Sequence, residues 1–275
     1  MFNQEKPEVA AAQAVMLEIL QEFHRVCTEN NLTYWLEGGT LLGAIRHDGF
    51  IPWDDDVDVA MPKEDFDKLC SMADTVFSKD FFWQTHTTDP DYHLMIAKLR
   101  KNNTRIIETG ETGQEGYHHG IFIDVIPYVS YKQEWFLNLM RWSYLFRDKK
   151  KKYPKGSLKR FLVSLYTNVL MCLPVMAAVK WRNHLIKHPE RFANDEKAEY
   201  YSHQLGCTFV RNTKRADILP PVLGEGIFEG ESFYLPQNPH NYLCSYYGPD
   251  YMQLPPPEKR KTHAKLIETE CEEHK

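Results

Sequence analysis

The run Asp54-Asp55-Asp56-Val57-Asp58-Val59-Ala60-Met61 constrains this chain more than any other segment. It begins as an acidic loop after Pro52-Trp53 and finishes in apolar alternation, the pattern of a half-buried strand. Residues two apart on a strand point the same way, so Asp56 and Asp58 present two carboxylates on one face. Left unpaired they repel each other and one is driven to protonate, whereas a hard divalent cation takes both as oxygen ligands. Mg²⁺, with Mn²⁺ as the alternative, is the expected cofactor. It binds through one or two carboxylates plus substrate phosphates, which points to phosphoryl chemistry. A solvated acidic turn is the simpler reading of such a run, but Trp53, Val57, Val59 and Met61 surround the carboxylates with apolar side chains. A calcium loop of the D-x-D-x-D-G type fails at Val59, where the turn needs Gly, and at Asp65, where a bidentate Glu is needed.

A further carboxylate, Asp124, stands alone within Ile121-Phe-Ile-Asp-Val-Ile126. A buried strand Asp is costly without a partner, and placing it beside Asp56 and Asp58 removes that cost. There it completes the metal set or acts as base toward an incoming hydroxyl; the alternative is a carboxylate capping a backbone turn. Gly38-Gly39-Thr40 lies between an expected strand and a short helix, where glycine lets backbone approach a ligand and helix N–H groups meet phosphate.

The surrounding pattern is α/β. Apolar residues at three- and four-residue steps predict a helix over 9–30, ended by Asn30-Asn31. Leu32–Leu36 reads as a buried strand, 41–46 as a short helix broken at His47-Asp48-Gly49, 57–61 as a strand, and 62–78 as a helix opened by Pro62. Residues 94–99 and 104–108 read as a hairpin around Lys101-Asn102-Asn103, and 121–126 as a strand. Three regions are expected: a catalytic core over 1–131, a largely helical region over 132–216, and a C-terminal substrate-site tail over 217–275.

A strand, a Gly-Gly-Thr turn, a helix, then alternating Asp, then an isolated strand Asp resembles the nucleotidyltransferase superfamily. More specifically, Glu37 through Met61, Ala97-Lys-Leu-Arg100 with Thr104, Gly120 through Pro127, and the tail Tyr246-Tyr-Gly-Pro-Asp-Tyr-Met252 with Pro255-Pro-Pro and His263 resemble the LicD family, which includes the fukutin-related proteins. The resemblance implies a nucleotidyltransferase-like fold, a mixed sheet with flanking helices in the α+β class. It also implies transfer of phosphocholine or a similar substituted phosphate from a CDP-choline-like CDP-alcohol donor to a glycan or lipid-linked sugar hydroxyl, releasing CMP. Asp56, Asp58 and Asp124 then hold metal and carry catalysis, with Asp54 as an outer helper. Gly38, Gly39 and Thr40 meet phosphate, Arg46 and Lys98 are candidate phosphate contacts, and Trp53 shapes the site. Tyr247, Gly248, Lys259, Arg260 and His263 match family positions near substrate. A choline headgroup suits an aromatic cage, for which Trp35, Trp53, Tyr117 and Tyr128 are candidates. Two other readings remain: a GT-A glycosyltransferase using Asp54 and Asp56 as a D-x-D site, and a membrane-associated binding protein without turnover.

With 33 Lys plus Arg against 38 Asp plus Glu, the net charge of −5 argues against a nucleic-acid partner. The six cysteines show no C-x-x-C pair and read as reduced; His203 and Cys207 are spaced as zinc ligands on a helix, with no second pair beside them. The polar start Met1–Glu8 lacks the order of a secretory signal, so a cytoplasmic enzyme is expected. Between Arg147 and Arg160, eight basic residues against one Asp give +7 and leave −12 for the remainder. The apolar stretch 161–179 follows, with Ser164, Thr167, Asn168 and Pro174 inside it. It reads as a core helix, an interfacial helix, or, least in keeping with its length, a membrane span. The interfacial option puts the enzyme at the inner face of an anionic membrane.

Overall fold

The computed structural model describes residues 6–92, 94, 96–131, 157–159, 161–162, 200–203 and 213–271. The chain divides into two compact units, one built from the stretches 1–128 and 216–275, the other from 129–215.

In the first unit, helix α1 (Pro7–Glu29) starts with Pro at its first turn and buries Met16, Ile19, Leu20, Phe23 and Val26 on one face. At roughly 1.5–3 kcal/mol for each large apolar side chain removed from water, that stripe outweighs the helix's weak capping. It ends where expected: the Asn30 amide group donates to the Val26 carbonyl at 2.8 Å and Asn31 takes φ 52°. The strand expected over 32–36 shrinks to β1 (Trp35–Leu36), because Leu32 N–H returns to the Cys27 carbonyl and Thr33 N–H donates to Asp65. Helix α2 (Gly38–His47) begins three residues earlier than the pattern predicts, since Gly38 adopts φ +48° and Leu41 N–H already bonds the Glu37 carbonyl. It stops at Asp48, a left-handed cap.

Strand β2 (Asp58–Pro62) leads into helix α3 (Lys63–Val76), followed by β3 (Phe81–Gln84), β4 (Ala97–Lys101), β5 (Arg105–Glu108) and β6 (Phe122–Tyr131). The main sheet is mixed, in the order β1-β2-β6-β4-β3, with β2 and β6 parallel and the other neighbours antiparallel. The hairpin expected between β4 and β5 does not form. Both edges of β4 are taken by β6 and β3, and Asn103, at φ 58°, turns the chain so that β5 pairs instead with β11 (Ala264–Glu268). A second hairpin, β9 (Val222–Phe228) with β10 (Glu231–Leu235), turns on Glu229 and Gly230, both at positive φ as a type I′ turn requires. Helix α4 (Pro239–Tyr247) is capped by Asn238, whose side chain accepts the Asn241 N–H.

In the second unit, β7 (Tyr200–His203) pairs antiparallel with β8 (Thr213–Lys214), and the Arg215 guanidinium lies 5.5 Å from the ring centre of the buried Tyr201. Most of the region expected to be helical lies outside the described residues. So do the basic run and the apolar stretch, apart from 157–159 and 161–162, and so do Cys207 and the His203 side chain. No helix among the described residues is long and apolar enough to cross a membrane.

Candidate active site

The sheet register assembles the acidic residues. In the parallel pair, Asp58 stands directly opposite Asp124, and Asp124 stands opposite Lys98 on β4. Paired residues share a face, so two carboxylates and one ammonium form a row across three central strands. Asp124 N–H locks the row's start by donating to the Val57 carbonyl at 2.7 Å. Asp56 lies two residues upstream of Asp58, close enough that its charge raises the proton affinity of both Asp58 and Asp54. Burial, then Asp56 and Asp124, hold the Asp58 carboxyl well above the usual range. Burial and Asp124 push Asp56 up to about 6, and burial and Asp56 raise Asp54 well above its ordinary value. Desolvation and like charge thus act together on three carboxyls.

Asp124 has a partner within the protein. The Lys98 ammonium, 3% exposed, is 2.9 Å from Asp124 Oδ1, 3.4 Å from Glu108 Oε2 and 3.1 Å from the Phe122 ring centre. The ion pair is not aligned as a hydrogen bond, and Asp124 Oδ1 is buried without one. Lys98, expected as a phosphate contact, is therefore engaged with Asp124 and Glu108. Among the described residues, no three Asp, Glu, His or Cys side chains already converge as a metal cage. The Asp124 oxygen, ion-paired to Lys98 but without a hydrogen bond, and the all-carboxylate donor set nevertheless fit a hard divalent cation.

The glycine turn faces this cluster. A Cβ at Gly39 would lie 2.9 Å from Asp54 Oδ2, and one at Gly38 would lie 3.5 Å from Asp58 Oδ2 and 3.9 Å from the Tyr246 and Tyr247 hydroxyls. The N-terminal end of α2, the positive end of its dipole, thus abuts the carboxylates. Thr40 is buried and its hydroxyl accepts the Asp58 N–H at 2.8 Å, joining the helix to β2. Glu37, marked in the sequence only as the first residue of the family-like run and given no role there, anchors the turn. Its carboxylate accepts from Tyr128 at 2.8 Å, from Tyr242, and from the Trp35 indole at 3.3 Å, and burial raises both phenols. Trp35 and Tyr128 are therefore enclosed around Glu37 rather than open to a headgroup.

The tail closes over the loop through Asp55. This carboxylate, 2% exposed, accepts the His263 N–H at 2.8 and 2.9 Å and the Ala264 N–H as well, which seats the start of β11. These bonds and His263 outweigh burial and lower the Asp55 pKa. The His263 imidazole, 3.5 Å from Asp55 and 3.9 Å from Asp56, is raised to about 9, chiefly by its bond with Asp55, so it is cationic at neutral pH. Arg46 donates to the Tyr251 and Gln253 carbonyls at 2.8 and 3.3 Å, and burial lowers its pKa. The Arg260 guanidinium sits 4.9 Å over the Trp53 ring. Tyr247 is partly exposed beside Tyr246, at a ring separation of 4.8 Å, and burial pushes its phenol up. Asp55 lay in plain view within the acidic run, but only its pairing with residues 263 and 264 distinguishes it from its neighbours.

Residues 31–162 match the family model described as LicD/FKTN/FKRP, nucleotidyltransferase domain. The "Lipopolysaccharide cholinephosphotransferase LicD" of Haemophilus influenzae is 28% identical over 91% of this chain and 94% of its own length. "Ribitol 5-phosphate transferase FKRP" of Homo sapiens and of Mus musculus is each 66% identical over 56 residues, 18% of this chain and 11% of the relative. The chain thus spans nearly all of the first relative and about a tenth of the other two.

Proposed function

We propose that this LicD-family transferase, matched over residues 31–162, moves a substituted phosphate from a CDP-linked alcohol to a hydroxyl of a glycan or glycolipid, releasing CMP. The observation that carries the reading is the parallel register placing Asp58 opposite Asp124 beside the N-terminal glycines of α2. A bond forms between the acceptor oxygen and phosphorus, the bond from phosphorus to the CMP oxygen breaks, and the acceptor proton passes to a base. Asp56, Asp58 and Asp124 would hold Mg²⁺, or Mn²⁺, which when bound neutralises charge on the donor phosphates. The backbone N–H groups at Gly39 and Thr40 turn toward the same phosphates. Asp124 serves as third ligand or as the base, and Lys98 holds its carboxylate in place. The cationic His263 adds positive charge beside Asp56. The basic run over 147–160 supports a working position at the inner, anionic face of a membrane.

The test is CMP release from a panel of CDP-alcohols with Mg²⁺ and candidate acceptor sugars. Release that depends on acceptor, and that falls by about a thousandfold or more in Asp58→Asn and Asp124→Asn proteins with intact melting curves, is the expected result. A glycosyltransferase relying on Asp54 and Asp56 would tolerate the change at Asp124. No release from any donor with any acceptor would overturn the proposal.

A further inference from the structure

Helix α1 buries one side chain that packing alone does not explain. Gln13 is wholly buried, and every other residue that the helix buries is apolar or a thiol. A place on such a stripe ordinarily goes to a hydrocarbon, because a buried amide costs free energy unless its polar atoms are paired. Gln13 Oε1 has no hydrogen bond among the described residues. The Nε2 group is the committed end: it donates to the Asp54 carbonyl at 2.8 Å and to the Ile51 carbonyl at 3.3 Å. These carbonyls stand at the two ends of the turn through Pro52 and Trp53, which the Asp54 N–H closes on Ile51 at 2.9 Å. One amide thus grips both ends of the turn that delivers the acidic run.

That run needs holding. It sets four carboxylates, Asp54, Asp55, Asp56 and Asp58, within five residues, and β2 starts only at Asp58. Like charges so close push a loop outward, more strongly where water is excluded. Ahead of the strand, the chain is tied at Asp54 by Gln13, at Asp55 by its carboxylate on the His263 and Ala264 N–H groups, and at Val57 by the Asp124 N–H. Asp56 is bracketed by these ties. The tie from α1 comes from outside the stretch 31–162 that matches the family. A neutral donor suits the place: a carboxylate there would add to the repulsion, and an ammonium would set a fixed charge beside groups that are to receive a cation. We infer that Gln13 is a positioning residue for the cation site, its amide holding the acidic loop against its own repulsion so that Asp56 stands beside Asp58 and Asp124 before any ion arrives. The inference rests on the reading above that these three carboxylates hold a divalent cation, but the clamp itself is measurable without one.

Mn²⁺ is titrated into the full chain and the free ion read by electron paramagnetic resonance, with Asp58→Asn setting the background. Gln13→Met, which keeps the length and removes the donor, should weaken Mn²⁺ binding about tenfold or more. In the metal-free protein, amide exchange over 53–57 should quicken in the same variant. At saturating Mn²⁺ its CMP release should stay within about threefold of wild type, since a bound ion holds the carboxylates itself. Leu20→Ala, on the same buried face of α1, leaves a cavity and lowers melting, and should keep Mn²⁺ affinity within about twofold. Gln13→Asn, one methylene too short to reach the loop, should weaken binding in the same direction and carries the test should Gln13→Met fail to fold. Equal Mn²⁺ affinity in wild type and the Gln13 variant, or a loss no greater than that of Leu20→Ala, overturns the assignment. A wild type that binds no Mn²⁺ beyond background refutes the cation reading instead, and exchange then decides alone: unchanged rates over 53–57 overturn the clamp, and faster rates uphold it.

Discussion

Asp56 carries a conflict between stability and function that can be weighed from the structure. Its carboxyl moves from an ordinary 3.8 in the unfolded chain to about 6 in the fold, driven first by burial and then by Asp124. At 1.36 kcal/mol per pH unit between those values, ionising it in the folded protein costs about 3 kcal/mol, and about 2–3 kcal/mol once its partial exposure is allowed for. The sign follows from proton counting. Between pH 3.8 and about 6 the folded protein binds more protons at this site than the unfolded chain, so stability falls as pH rises through that window and the loss is complete above it. Asp56→Asn removes the conflict, since the amide keeps its hydrogen-bonding reach to Asp54 without charge. Melting in EDTA at pH 7 should therefore rise by about 4–6 °C, at roughly 2 °C per kcal/mol for a chain of this size. The difference between variant and wild type should shrink as pH drops toward 4. Added Mg²⁺ should stabilise the wild type at pH 7 and the variant much less, while the variant loses CMP release. A variant that melts at or below the wild type at pH 7, with a difference that does not depend on pH, would refute this reasoning.

Gly39→Ala places a methyl group 2.9 Å from Asp54 Oδ2; turnover should drop about tenfold or more with a melting shift of only a few degrees, read from paired kinetics and calorimetry. Asp55→Ala removes the acceptor of the partly buried N–H groups of His263 and Ala264, costing about 1 kcal/mol, and hydrogen exchange should quicken along β11 before it does in α1. His118 acts opposite to Asp56: its Nδ1 accepts the Gly120 N–H at 2.9 Å, and burial, then Arg100, lower its pKa to about 4. Below pH 6.5 the unfolded chain binds the extra proton, so stability falls as pH falls toward 4, by about 2 kcal/mol at most after allowing for partial exposure. His118→Gln should abolish that acid sensitivity in denaturant melts.

Helix α1 and strand β2 were readable because their information is local: apolar residues at helical steps, and a short apolar run after Asp58. The same locality made the pairing of β4 misleading. Its pattern and that of β5 are those of hairpin strands, yet both edges of β4 are taken by β3 and β6, which leaves none for β5. Of the candidate contacts, Thr40, Arg46 and Lys98 are engaged with Asp58, the tail carbonyls and Asp124 respectively, bonds that connect distant segments and leave no mark in any short window.

By itself, the amino-acid order led to the expectation of a carboxylate pair on one strand face, though the strand opens only at Asp58 and leaves Asp56 in the loop before it, and it indicated that a third acid would need company and that glycine would bring a backbone turn close to something. Side-chain chemistry and the two-residue repeat of a strand suffice for that. Only the tertiary structure decided that Asp124 stands level with Asp58 and that Lys98 is the neighbour it meets. Those facts depend on which strands pair and in what register, a choice made by the burial of the whole sheet rather than by the residues on any one strand.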